Sequence, residues 1–110
     1  MDSQDLSRVF SALSDPIRRG ILMELSAGEQ NVRQLTSAFD VSQPAISRHL
    51  KTLETAGLIE KERRGREHFV RVNAHQAEQA AAWITHYSRF WKAHFDEVER
   101  LLDLRKGTKP

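Results

Sequence analysis

Residues 40–72 read "DVSQPAISRHLKTLETAGLIEKERRGREHFVRV", and the order of parts in this stretch decides the fold. Ser42 is a natural N-cap, and Pro44 is tolerated in the opening turn because the N–H groups there have no helical partner. Gly57 stops the helix after Ala56. Between these ends Ile46, Leu50 and Leu53 form one apolar stripe that must pack inward, while Pro44, Ser47, Arg48 and Lys51, with Gln43 at the leading edge, form the opposite face. That face is hydrogen-bonding and cationic. Two extended runs follow, Leu58–Arg63 and Glu67–Val72, joined across Arg64, Gly65 and Arg66, with Phe69 alternating against charged neighbours. They read as a β-hairpin whose thin, flexible tip presents Arg63, Arg64 and Arg66 around a glycine. From Arg48 to Arg71 seven Lys or Arg stand against four Glu, a local excess of +3 in a chain whose formal charge is +2. Any preference for an anionic partner therefore comes from where the basic groups sit rather than from their sum.

Upstream, Leu6, Val9, Phe10 and Leu13 fall at helical spacing behind Asp2 or Ser3 as N-cap, which predicts a short amphipathic helix within residues 1–14. In "SDPIRRGILMELSAGE" Asp15 caps, Pro16 suits the first turn, Ile17, Ile21, Leu22 and Leu25 form a stripe, and Gly28 ends it. Gly20 inside this helix is a small local penalty. Asn31 caps a third, short helix carrying Val32, Leu35 and Phe39, and "FDVS" turns into the helix already described. Downstream, His75–Leu104 reads as a helix of about 30 residues and about 45 Å, longer than so small a domain needs for its own core. Ile84, Tyr87, Phe90, Trp91, His94, Phe95, Val98, Leu101 and Leu102 repeat on it at steps of three and four, making a wide aromatic-rich face. Three uses compete for that face: packing on the first helix, a dimer seam, or a small-molecule pocket walled by Trp83, Tyr87 and Trp91. Two-fold symmetry explains the excess surface best. The end "RKGTKP", residues 105–110, reads as a frayed basic tail.

The chain has 110 residues, 39% hydrophobic and 29% charged, which suits one domain over residues 1–110 and leaves too little for two independent cores. No apolar run approaches the ~20 residues that cross a bilayer, and "MDSQDLSRVF" lacks the basic start and apolar centre of a secretory signal. The expected location is the cytoplasm, with no membrane partner. With no cysteine in the sequence, disulfides, thiolate metal sites and cysteine nucleophiles are excluded.

A helix with small polar and cationic groups at its N-terminal end suits the DNA major groove, where Gln, Ser and Arg bond to base edges. A basic hairpin beside it suits phosphates or the narrower minor groove. Together these are the parts of a winged helix-turn-helix: a mainly α chain with a small β-hairpin, the helix-turn-helix over residues 31–57, the wing over 58–73, and a double-stranded DNA partner. "ALSDPIRRGIL", "VSQPAISRHLKTLETAGLI" and "RRGREHFVRV" resemble the second helix, recognition helix and wing of the ArsR family of bacterial winged-helix transcriptional regulators, over nearly the whole chain. That resemblance implies a homodimer on a two-fold symmetric operator, usually a repressor relieved by a signal such as a small-molecule effector of unidentified chemistry. It implies DNA contact by Gln43, Pro44, Ser47, Arg48 and Lys51 from the helix and by Arg63, Arg64 and Arg66 from the wing. The flanking His49 is as suited to half-buried packing as to a base. It implies a dimer made by the helices within residues 1–14 and 75–104, through Leu6, Phe10, Ile84, Tyr87, Phe90, Trp91, Phe95 and Val98.

The founding metal sensors of that family use paired cysteines on the third helix, where this chain has "VRQLTSAFDV" without thiol or histidine. A second family site on the last helix begins with an Asp-x-His pair, where this chain has Ala81 and Trp83, and continues with the fragment that His94 and Glu97 supply in "HFDE". His75 and His86 do not restore the pattern, so the expectation is no metal site and no cofactor. A zinc- or nickel-responsive repressor, with ligands completed by a partner chain, is the alternative. Catalysis finds no support, because Ser, His and Glu are scattered along helix faces without a nucleophile elbow or a phosphate-binding glycine loop. A winged helix that only binds proteins is the remaining rival, and salt-dependent retention of DNA separates it from a DNA-binding one.

Overall fold

Four helices begin where a side chain accepts the amides that a first turn leaves unpaired. In this computed structural model, which describes residues 2–107, Asp2 Oδ1 accepts from Asp5 N at 2.7 Å to start α1, Ser3–Leu13. Asp15 Oδ2 accepts from Ile17 N at 2.9 Å and Arg18 N at 3.1 Å to start α2, Pro16–Leu25. For α3, Val32–Ser37, Asn31 and Gln34 form a reciprocal capping box at 2.7 and 3.2 Å. Ser42 Oγ accepts from Ala45 N at 3.3 Å to start α4, Gln43–Thr55. At the far end of α4 Gly57 takes φ +78°, so that its N–H reaches Glu54 O at 2.9 Å and Leu58 N reaches Leu53 O at 3.0 Å. This is a Schellman closure, and its apolar contact pair, Leu53 and Leu58, is buried.

Three strands follow the order β1-β3-β2, all antiparallel: β1 is Gln30–Asn31, β2 Ile59–Arg64 and β3 Glu67–Val72. The sequence reading missed β1, because two residues are too short to carry a period. It also ended the first hairpin run at Arg63; Arg64 instead pairs with Glu67, and Gly65, at φ +63°, and Arg66 make a two-residue turn with glycine first.

The chain divides into two compact units, the first ending at Gln79 and the second starting at Ala80. In the first, Val9, Ile21, Leu35, Ile46, Leu50, Leu53 and Val70 are fully buried, with Ala12, Leu25, Leu58 and Ile59 nearly so. Each of these Val, Leu and Ile side chains contributes about 1.5–3 kcal/mol by leaving water. Gly20 corrects an expectation. A Cβ built there would stand 2.8 Å from Phe39 Cε1, so the glycine is the seat of an aromatic ring rather than merely a loss of helix propensity. The second unit is the bulk of α5, Ala74–Gly107; the last three residues of the basic tail expected over 105–110 lie outside the described residues. Among the described residues no helix is long and apolar enough to cross a membrane.

Candidate nucleic-acid interface

The outward face of α4 is fixed by what its other sides hold. Ile46, Leu50 and Leu53 are buried, which leaves Gln43, Pro44, Ser47, Arg48 and Lys51 exposed together. On the flank, His49 is half-buried: its Nδ1 lies 3.3 Å from Arg18 Nη1 and 3.8 Å from Asp15 Oδ2. Arg18 also donates from Nε to Ala12 O at 2.7 Å and from Nη2 to Ser11 O at 3.2 Å, and Arg19 donates to Leu13 O at 2.8 Å. The two arginines of "SDPIRRG" therefore close the C-terminal end of α1, where carbonyls lack helical partners, and one of them ties that corner to α4. The Arg18 amide, first, and then the neighbouring His49 hold the Asp15 carboxyl below its usual range.

The wing has two unlike faces. Pleating sends Glu60, Glu62 and Arg64 of β2 to one side and Ile59, Lys61 and Arg63 to the other, and the register pairs them with Phe69 and Arg71 on the first side and His68, Val70 and Val72 on the second. On the first side Arg64 donates to Glu29 Oε1 at 2.6 Å and Oε2 at 2.9 Å, donates to Glu62 Oε2 at 2.8 Å, and lies 4.5 Å over the Phe69 ring. Arg71 bonds Glu60 at 3.0 Å, Glu62 at 3.1 Å and Glu29 at 3.4 Å. The β1–β3 pairing of Gln30 with Val70 brings the preceding Glu29 level with Arg71. Hydrogen bonds from Arg64, above all, hold the Glu29 and Glu62 carboxyls low and raise the Arg64 guanidinium in return.

On the second side a cleft of about 250 Å³ opens between wing and helices, lined by Asn31, Val32, Arg33, Gln43, Ser47, Lys61, Arg66, Glu67 and His68. The structure thus brings Gln43, Ser47 and Arg66 together and adds Arg33, Lys61 and His68, which the sequence reading did not single out. Strand alternation carried the signal for Lys61 and His68, and nothing local carried it for Arg33. Arg63 is tied to the turn, its Nε donating to Gly65 O at 3.0 Å. Arg64 is not brought to this cleft. Lys51 instead lines a groove of about 450 Å³ between α1 and α4, with Ser7, Arg8, Ser11, Thr52, Thr55 and Ala56.

On α5 the aromatic residues stack on one another: Trp83 on Tyr87 at 4.9 Å, Tyr87 against Trp91 at 5.6 Å, Trp91 on Phe95 at 5.4 Å. Ile84, Tyr87, Phe90, Phe95 and Val98 are exposed, as is Phe10 of α1, whereas Leu6 is half-buried. Trp91 Nε1 is shielded from solvent yet has no acceptor among the described residues. Glu97 accepts from Arg100 through both oxygens, at 2.6 and 3.1 Å, and among the described residues no group of three or more His, Cys, Asp or Glu could hold a metal ion.

A family profile described as "Bacterial regulatory protein, arsR family" matches residues 15–61. The transcriptional repressor SdpR of Bacillus subtilis (strain 168) is 32% identical over 82 residues, 74% of this chain and 91% of its own length. An ArsR-like transcriptional regulator from Rhodococcus sp. RHA1 superposes with a TM-score of 0.74 at 31% identity, covering 89% of this chain and 92% of that one. The homodimeric winged helix-turn-helix DNA-binding domain of a possible ArsR-family regulator from Mycobacterium bovis gives a TM-score of 0.63 at 26% identity, covering 86% and 84%.

Proposed function

The chain belongs to the arsR family of bacterial regulatory proteins, and from that premise we propose that it is a transcriptional repressor that binds a two-fold symmetric operator in duplex DNA as a homodimer. The observation that carries the proposal is the exposed row Gln43, Ser47, Arg48 and Lys51 on a helix whose opposite stripe is wholly buried, set beside a cleft lined by Arg33, Lys61 and Arg66. Among the described residues none of these seven side chains bonds a carboxylate. α4 enters the major groove with its N-terminal half, where Ser47 and Arg48 read base edges and Gln43 and Pro44 meet the groove wall. Lys51, Arg63 and Arg66 follow the backbone.

The exposed apolar residues of α5, with Leu6 and Phe10 of α1, are the proposed dimer seam, and a second chain there is a source of the acceptor that Trp91 Nε1 lacks. The protein acts by binding alone, with no chemical step, in the bacterial cytoplasm where its DNA lies. Release comes from a signal other than a thiolate-bound metal, since the sequence has no cysteine.

Selection from a random duplex pool tests this. The expected product is a sequence with two inverted half-sites about one helical turn apart. Replacing Ser47 or Arg48 by Ala should cost about 1–3 kcal/mol on that sequence and change which bases are recovered. Recovery of no sequence over background would refute the proposal, and unaltered preference in both variants would remove α4 from the reading role.

A further inference from the structure

The two faces of the wing cannot both serve phosphate. On one, Arg64 and Arg71 are shared among Glu29, Glu60 and Glu62, so two cations meet three carboxylates and the face carries a net −1. For Arg64 to reach a phosphate it would have to leave a bidentate pair with Glu29 and its bond to Glu62, so that Arg71 alone would face three carboxylates beside the new anion. On the other face, Arg33, Lys61 and Arg66 line the cleft against Glu67 alone, and among the described residues none of these three cations has a hydrogen bond or an ion pair. They exchange only water for phosphate.

We infer that the wing holds the DNA backbone through one face only: Arg33, Lys61 and Arg66 bind phosphate in the cleft beside α4. Arg64 binds none and is a positioning residue that braces the hairpin through Glu29. This rests on the DNA-binding reading and deepens it. It moves Arg64 from the DNA-contacting group to the scaffold and brings Arg33 and Lys61 into the contact set. The brace has a plain mechanical route. Glu29 precedes β1, β1 pairs with β3, and the Glu29 carboxylate, level with Arg71, spans to β2 at Arg64, so the three strands are cross-tied.

The test measures the affinity of the full chain for a labelled duplex of mixed sequence across a salt series, because phosphate contacts are counted by the slope of log K against log salt, at about 0.9 per contact. Arg33→Ala, Lys61→Ala and Arg66→Ala should each flatten the slope by about 0.9 per bound subunit, which weakens binding about eightfold at 0.1 M salt. Arg64→Ala and Glu29→Gln should leave the slope of the parent, shift the line in parallel, and lose no more together than either does alone. Both should also perturb the amide chemical shifts of β2 and β3, which the cleft variants leave in place. A slope flattened by about 0.9 in Arg64→Ala, or unchanged slopes in the cleft variants, overturns the inference. Should Arg64→Ala fail to fold, Glu29→Gln decides the matter: an unchanged slope supports the brace, and a steeper one, from an Arg64 released onto phosphate, refutes it. A parent whose binding shows no salt dependence removes the DNA-binding reading itself, an outcome separate from any pattern among the variants.

Discussion

The Glu29 and Glu62 carboxyls lie below the ordinary glutamate value of 4.5, chiefly because Arg64 donates to both. A carboxyl whose folded value is lowered contributes stability that is complete above the ordinary value and is lost as pH falls through the folded one. The amide shifts around Glu29, Glu62 and Arg64 should therefore drift as pH falls below 4.5, the ordinary value of both glutamates, with part of the drift abolished in Glu29→Gln. A hairpin that loosens as pH rises from neutrality would contradict the brace. At this scale the sequence was half legible. The outward aspect of Ser47 and Arg48 follows from the helical period around Ile46, Leu50 and Leu53. The commitment of Arg64 does not, because Glu29, its bidentate partner, lies 35 residues earlier and reaches it only through the β1–β3 register. Three arginines around Gly65 looked alike in the sequence, and pleat and turn made them three different things.

Helix ends were the most legible elements, since capping is decided within a few residues: Asp2, Asp15, Asn31 and Ser42 all cap as their positions suggest, and Gly57 ends α4 as its sequence context suggests. Tertiary approach was the least legible. Gly20 looked like a small loss of helix propensity, whereas the Phe39 ring edge sits where its Cβ would be, at 2.8 Å. The two effects oppose each other in Gly20→Ala. Helix propensity gains about 1 kcal/mol, while overpacking a ring in a packed site costs about 1–3 kcal/mol. The expected net result is destabilisation of about 1 kcal/mol, read as a lowered Tm and reversed when Phe39→Leu is added to make room. A raised Tm in Gly20→Ala would show that the ring moves aside freely and that the glycine has no packing role.

At the scale of the whole molecule, the exposed apolar side chains of α5 are the feature that a single chain does not use: Phe90 and Phe95 are 59% and 61% exposed. Replacing Phe90 and Trp91 by Ser should leave the helix-turn-helix and wing folded and turn the proposed dimer into monomers in sedimentation at micromolar concentration. A parent that sediments as a monomer there would remove the proposed seam. The sequence disclosed this face through its three- and four-residue spacing, as it disclosed α4 and the hairpin. The central claim is sequence-specific binding of duplex DNA, and one comparison bears on it most directly: the affinity of the protein for its selected duplex against a scrambled duplex of equal length, at 0.15 M salt. Specific binders exceed their own non-specific binding by about 10³ or more, and a ratio of that order, with both affinities falling as salt rises, is the expected result. Equal affinities for the two duplexes, or retention of neither, would contradict it.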